Sequence, residues 1–75
     1  MNNLEIMLKI KTERKAQYKS QQYMADLLAI AVQTYSDIER GIIQLKAVDL
    51  YRIALDLGKP IDYFFECDTE VKSHD

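Results

Sequence analysis

SQQYMADLLAIAVQTYSDIERG, residues 20–41, reads at helical spacing as two short helices with a tight corner between them. Met24, Ala25 and Leu28 fall at i, i+1 and i+4 and form one apolar stripe on the first of the two. Tyr35 and Ile38 fall at i and i+3 on the second, with Val32 three residues before Tyr35 beside them. Between them, at Ala29-Ile30-Ala31, the stripe changes face, as a bihelical corner requires. Ser20 stands where an N-cap belongs, its hydroxyl placed to accept from the amide of Gln22 or Tyr23. Gly41 follows the last apolar position and suits the left-handed residue that stops a helix. The segment is a helix-turn-helix by pattern.

On its N-terminal side, residues 2–18 predict a first helix, with Ile6, Met7 and Ile10 inward and Lys9, Glu13 and Lys15 at more exposed positions. Asn2 or Asn3 is its expected cap, Glu5 favours its positive end, and Tyr18-Lys19 is the exit. Taken singly, each lysine on this helix reads as part of a solvated face. Beyond Gly41, Ile42-Ile43-Gln44-Leu45-Lys46 is unusually apolar for a connecting loop: Ile42, Ile43 and Leu45 either tuck onto the helix that follows, the ordinary explanation, or form an exposed apolar patch. A further helix is expected over residues 47–57, from Leu50, Ile53, Ala54 and Leu57 at i, i+3, i+4 and i+7, with Gly58 ending it. Pro60 suits the first turn of a short fifth helix reaching about Glu66, with Phe64 and Phe65 closing the bottom of the core. Residues 67–75 are polar, acidic and unpatterned, the mark of a frayed tail. The expectation is an all-α, compact five-helix bundle over residues 1–66, followed by a flexible acidic tail.

Composition narrows the function. Seventy-five residues make one small domain, near the lower limit for a core without staples. One cysteine excludes a disulfide framework and a multi-cysteine zinc site and fits a reducing compartment. A metal site between Cys67 and His74 lacks further ligands. No apolar run is long enough to cross a bilayer and no signal-peptide core opens the chain, so a soluble, cytoplasmic protein without a membrane partner is expected. The net charge of −2 is unevenly spread: residues 1–20 carry +3, residues 21–60 carry −1 and residues 61–75 carry −4. A polyanion binder needs a positive face, not a positive total. Catalysis finds no foothold, for there is no glycine-rich phosphate loop, no His–carboxylate ligand spacing and no nucleophile elbow. A core this small also leaves little room for a substrate pocket, so no enzyme, cofactor or small-molecule substrate is expected.

The residues quoted above, taken in order and spacing, resemble a known family. Ser20-Gln21, Met24-Ala25-x-x-Leu28, Thr34-Tyr35-Ser36-x-Ile38-Glu39-Arg40-Gly41, and Ala54-x-x-Leu57-Gly58 followed by Phe64-Phe65 are similar to the Cro/CI-type (XRE-like) phage-repressor helix-turn-helix domains, across residues 4–66. The resemblance implies a lambda-repressor-like five-helix bundle whose third helix lies in the DNA major groove while the second crosses the backbone. It places Gln33 as base reader, able to pair bidentately with adenine N6 and N7. Val32 and Asp37 fall at neighbouring reading positions, Val32 toward a thymine methyl and Asp37 toward cytosine N4 or a local salt bridge to Arg40. Gln21 is similar to a residue that binds phosphate and buttresses the reader, and Thr34, Arg40 and Lys46 are implied backbone contacts. Arg14 and Glu39 match a pair that joins helix one to helix three through a buried salt bridge. Tyr35 matches a core position.

The chain departs from the family pattern at several places. Tyr18-Lys19 stands where a Gly-hydrophobic step is usual, Ala29 where the turn Gly is usual, and Ala31-Val32 where a polar pair opens the third helix. Ile42 replaces a phosphate-contacting lysine, and Lys46 a serine cap.

The expected function is a sequence-specific transcriptional regulator, repressor-like, acting as a homodimer on a two-fold operator in double-stranded DNA. Phosphate neutralisation is expected from Lys9, Lys11, Arg40 and Lys46, and from Arg14 unless it is buried, so binding should fall with salt. The alternative is a helix-turn-helix protein-interaction module, antitoxin-like or anti-repressor-like, that has lost DNA binding and docks a partner at Ile42, Ile43 and Leu45.

Overall fold

The first α-helix, α1, spans Asn3–Ala16 and is followed by α2 (Gln21–Leu28), α3 (Val32–Glu39) and α4 (Ala47–Leu57), with a 3₁₀ turn at Ile61–Phe65. This is a computed structural model in which residues 3–65 are described. Asn3, one of the two expected caps, is the first residue of α1; Asn2, the tail over 67–75 and the Cys67–His74 pair lie outside what is described.

All four α-helices stop in the same way. After α1, the Tyr18 amide donates to the Lys15 carbonyl and the Lys19 amide to that of Arg14. The same two bonds recur from Ala29 and Ile30 after α2, from Gly41 and Ile42 after α3, and from Gly58 and Lys59 after α4. This is the Schellman arrangement, which satisfies the last orphan carbonyls and places one residue in the left-handed region. That residue has φ of 58° at Tyr18, 59° at Ala29, 82° at Gly41 and 74° at Gly58. Two of the four positions therefore hold a side chain where glycine is the comfortable choice. α1 consequently ends at Ala16, two residues short of the expected 18.

At the N-termini the caps are uneven. Ser20 is extended and its hydroxyl accepts from the Tyr23 amide, so α2 is capped by side chain. Ala31 and Lys46 stand at the N-caps of α3 and α4 and make no side-chain cap bond.

The core collects the expected stripes. α1 contributes Met7 and Ile10, α2 contributes Met24, Ala25 and Leu28, α3 contributes Tyr35 and Ile38, and α4 contributes Leu50, Ile53, Ala54 and Leu57. Of the two readings of the loop after α3, inward packing holds for Leu45, which is 8% exposed and lies in the core, while Ile42 is 62% exposed. The fifth helix is a 3₁₀ turn instead, because the five residues after Pro60 are too few to pay the nucleation cost of an α-helix. Its tighter rotation turns Phe64 fully inward and leaves Phe65 48% exposed, so only one of the two phenylalanines closes the core. The fold among the described residues is all-helical, four α-helices and one 3₁₀ turn.

Candidate nucleic-acid interface

The frame that holds α2 and α3 is built on one buried carboxylate. Arg14 leaves α1 and meets Glu39 at the end of α3 by two hydrogen bonds, Nε to Oε2 at 2.8 Å and Nη2 to Oε1 at 3.2 Å. The Tyr35 hydroxyl, one turn earlier on α3, donates to Glu39 Oε2 at 2.6 Å. Gln21 Nε2, in the first turn of α2, donates to Glu39 Oε1 at 3.1 Å. Arg14 also donates from Nη1 to the Lys19 carbonyl at 2.8 Å, in the link between α1 and α2. Three helices and one linker thus converge on a side chain pair that is almost fully buried. Burial alone would raise the Glu39 carboxyl, but the bonds from Arg14, Tyr35 and Gln21 outweigh it and hold it below its ordinary value. Burial first, and then the Glu39 carboxylate, push the Tyr35 hydroxyl far up, so it stays a donor at any ordinary pH.

A second polar knot ties the start of α2 to the end of α4. Lys19 Nζ donates to Asp56 Oδ2 at 2.8 Å and to the Asp56 carbonyl at 3.1 Å, and the Tyr23 hydroxyl donates to Asp56 Oδ1 at 2.8 Å. Gln17 Nε2 adds a bond to the Leu57 carbonyl at 2.8 Å. The lysine at the family's hydrophobic position therefore works as a cation on the negative end of α4. Nothing in the local pattern announces this knot, because Lys19 and Asp56 are 37 residues apart.

The outward face of α3 carries the expected readers. Val32 and Gln33 are exposed in its first turn, Thr34 and Asp37 are half-buried, and Arg40 is exposed at its C-cap. Gln33 Nε2 donates to Asp37 Oδ1 at 3.1 Å, and Arg40 Nη1 reaches the same oxygen at 3.3 Å. The residue that supports the Gln33 side chain is therefore Asp37, whereas Gln21 supports Glu39. Among the expected phosphate contacts, Lys11 and Lys46 are exposed and the Arg40 side chain is 62% exposed. Arg14 is withdrawn into the core, and Lys9 lies over the Tyr63 ring, 5.1 Å from its centroid, turned toward the 3₁₀ turn instead of α3.

Among the described residues, no group of three or more His, Cys, Asp or Glu side chains is placed to hold a metal ion. No described helix is long and apolar enough to cross a membrane. A family model described as helix-turn-helix matches residues 10–64. No curated protein and no solved structure matches the chain.

Proposed function

The chain belongs to the XRE-type helix-turn-helix family, a family of DNA-binding regulators, and from that membership we propose a sequence-specific, non-enzymatic transcriptional regulator that acts in the cytoplasm as a homodimer on a two-fold operator. The observation that carries the reading is the outward α3 face, where Gln33 and Val32 are exposed on a helix pinned from behind by the buried Glu39 cluster. Rigid backing matters because base edges are read by hydrogen-bond geometry, which a rocking helix would blur. In this reading Gln33 pairs with adenine and Val32 touches a thymine methyl, while Arg40, Lys46, Thr34 and the first amides of α2 meet phosphates. Gln21 keeps one amide hydrogen for phosphate while the other serves Glu39. A homodimer is supported by two features. One short reading helix offers few base contacts, and Val48, Tyr51 and Leu55 form an exposed apolar row on α4 at i, i+3 and i+7.

Selection from a pool of random duplex DNA at two salt concentrations tests the proposal. A two-fold motif is expected, with binding that weakens as salt rises and with Gln33→Ala losing preference at one base pair in each half-site. The absence of any enriched motif, even at low salt, would sink it. A protein-docking function finds support in Ile42 and Ile43, which stay exposed after Leu45 is lost to the core. It expects Ile42→Ser with Ile43→Ser to abolish association and Gln33→Ala to change nothing.

A further inference from the structure

The Asp37 carboxylate sits between the base reader and a backbone cation, and one of its oxygens accepts from both. Gln33 is one helical turn before it and Arg40 three residues after it, so all three share the same strip of α3. A carboxylate is an acceptor only. The side of the Gln33 amide turned toward it must therefore be the nitrogen side, and flipping the amide would set carbonyl oxygen against carboxylate oxygen. The second amide hydrogen and the carbonyl remain for a base edge, in one orientation. An unpinned glutamine has no such constraint: it can donate to guanine or thymine acceptors, or accept from cytosine N4, by rotating the amide. The same carboxylate partly neutralises Arg40 and places a negative charge on the face that meets phosphates, which lowers attraction to any sequence.

Resting on the DNA-binding reading above, we propose that Asp37 is a specificity-determining positioning residue: it fixes the amide of Gln33 in the adenine-reading orientation and restrains Arg40, so that the domain discriminates at the cost of bulk affinity. It touches no base itself.

The test compares the full chain with Asp37→Ala, Asp37→Asn and Gln33→Ala. In Asp37→Ala, preference for adenine at the base pair read by Gln33 should drop about tenfold. Binding to a non-specific duplex should tighten about threefold, because a repelling charge is gone and Arg40 is released. Asp37→Asn keeps an acceptor but not the charge, so it should retain more of the adenine preference while still gaining non-specific affinity. Side-chain ¹⁵N relaxation without DNA reads the clamp directly. The Gln33 amide should be as ordered as that of Gln22, which donates to Asp26 at 2.9 Å, and should become mobile in Asp37→Ala while Gln22 does not change. Thermal midpoints of the variants should match, since Asp37 lies outside the core.

A wild-type motif that survives Asp37→Ala unchanged would overturn the clamp alone. So would loss of a cytosine preference at a neighbouring pair with adenine preference intact, which would make Asp37 the reader. A wild-type chain that enriches no motif would overturn the DNA-binding reading and the clamp with it.

Discussion

Glu39 accepts hydrogen bonds from three side chains on three helices, and its surroundings make the removal of one partner costlier than the removal of both. Arg14→Ala leaves a buried carboxylate without its cation, and a loss of about 3 kcal/mol is expected in chemical denaturation. The double substitution Arg14→Met with Glu39→Leu leaves no charge behind and should cost less than that single change. A larger loss in the double variant would show that the pair itself holds the fold. Neither residue reveals this role by local pattern, since they stand 25 positions apart, and only the family resemblance joined them. Ser20 was legible for the opposite reason: a cap bonds within its own turn, so its partner lies three residues away in the sequence as well.

At the scale of the helix, the four C-terminal turns differ only in which residue takes the left-handed position. Tyr18 is 97% exposed there, so its ring gains nothing to offset the strain. Tyr18→Gly should raise stability by about 0.5–1 kcal/mol, and Gly58→Ala, where an added methyl group would meet no neighbour, should lower it by about the same amount. Both are read from thermal midpoints. At the start of α4, Lys46 fills a cap position with a side chain that cannot accept a bond. Lys46→Ser should therefore stabilise the fold by about 1 kcal/mol and weaken DNA binding, reducing the salt slope by about one. Opposite signs in the two assays separate a structural role from a phosphate contact. The four α-helices were legible because each carries two or more turns of apolar periodicity. The 3₁₀ turn was not, because in five residues inward spacings of three and four cannot be told apart. The loop after α3 stayed open between packing and exposure for a related reason, since it has no period to show which of Ile42, Ile43 and Leu45 turns inward.

For the molecule as a whole, the shifted groups define a pH window. The Glu39 and Asp56 carboxyls are held low in the fold, in each case because hydrogen bonds outweigh burial. Their contribution is present above the ordinary values of 4.5 and 3.8 and is lost as pH falls through the lower folded values. Lys19 is raised by its bond to Asp56, so its contribution is present below 10.5 and is lost at more alkaline pH. A denaturant midpoint that is level across neutral pH and falls on both sides is expected, with a shallower acid limb in Glu39→Gln. An acid limb of unchanged slope in that variant would assign the loss to other carboxylates.

The two polar knots have a consequence for how the domain opens. Arg14 and Gln21 bind the end of α3 and the start of α2 to one buried centre on α1, and Lys19 with Tyr23 fastens the start of α2 to the end of α4. Neither α2 nor α3 can melt away by itself without taking a hydrogen-bond partner from a charged group on the part left folded, Arg14 if α3 goes and Glu39 and Asp56 if α2 goes. Native-state hydrogen exchange should then find no separate subunit of unfolding here: amides in the middle of α2, α3 and α4 should exchange with one common opening free energy. Such a protein offers a protease or a chaperone either the finished domain or the whole open chain, with little in between.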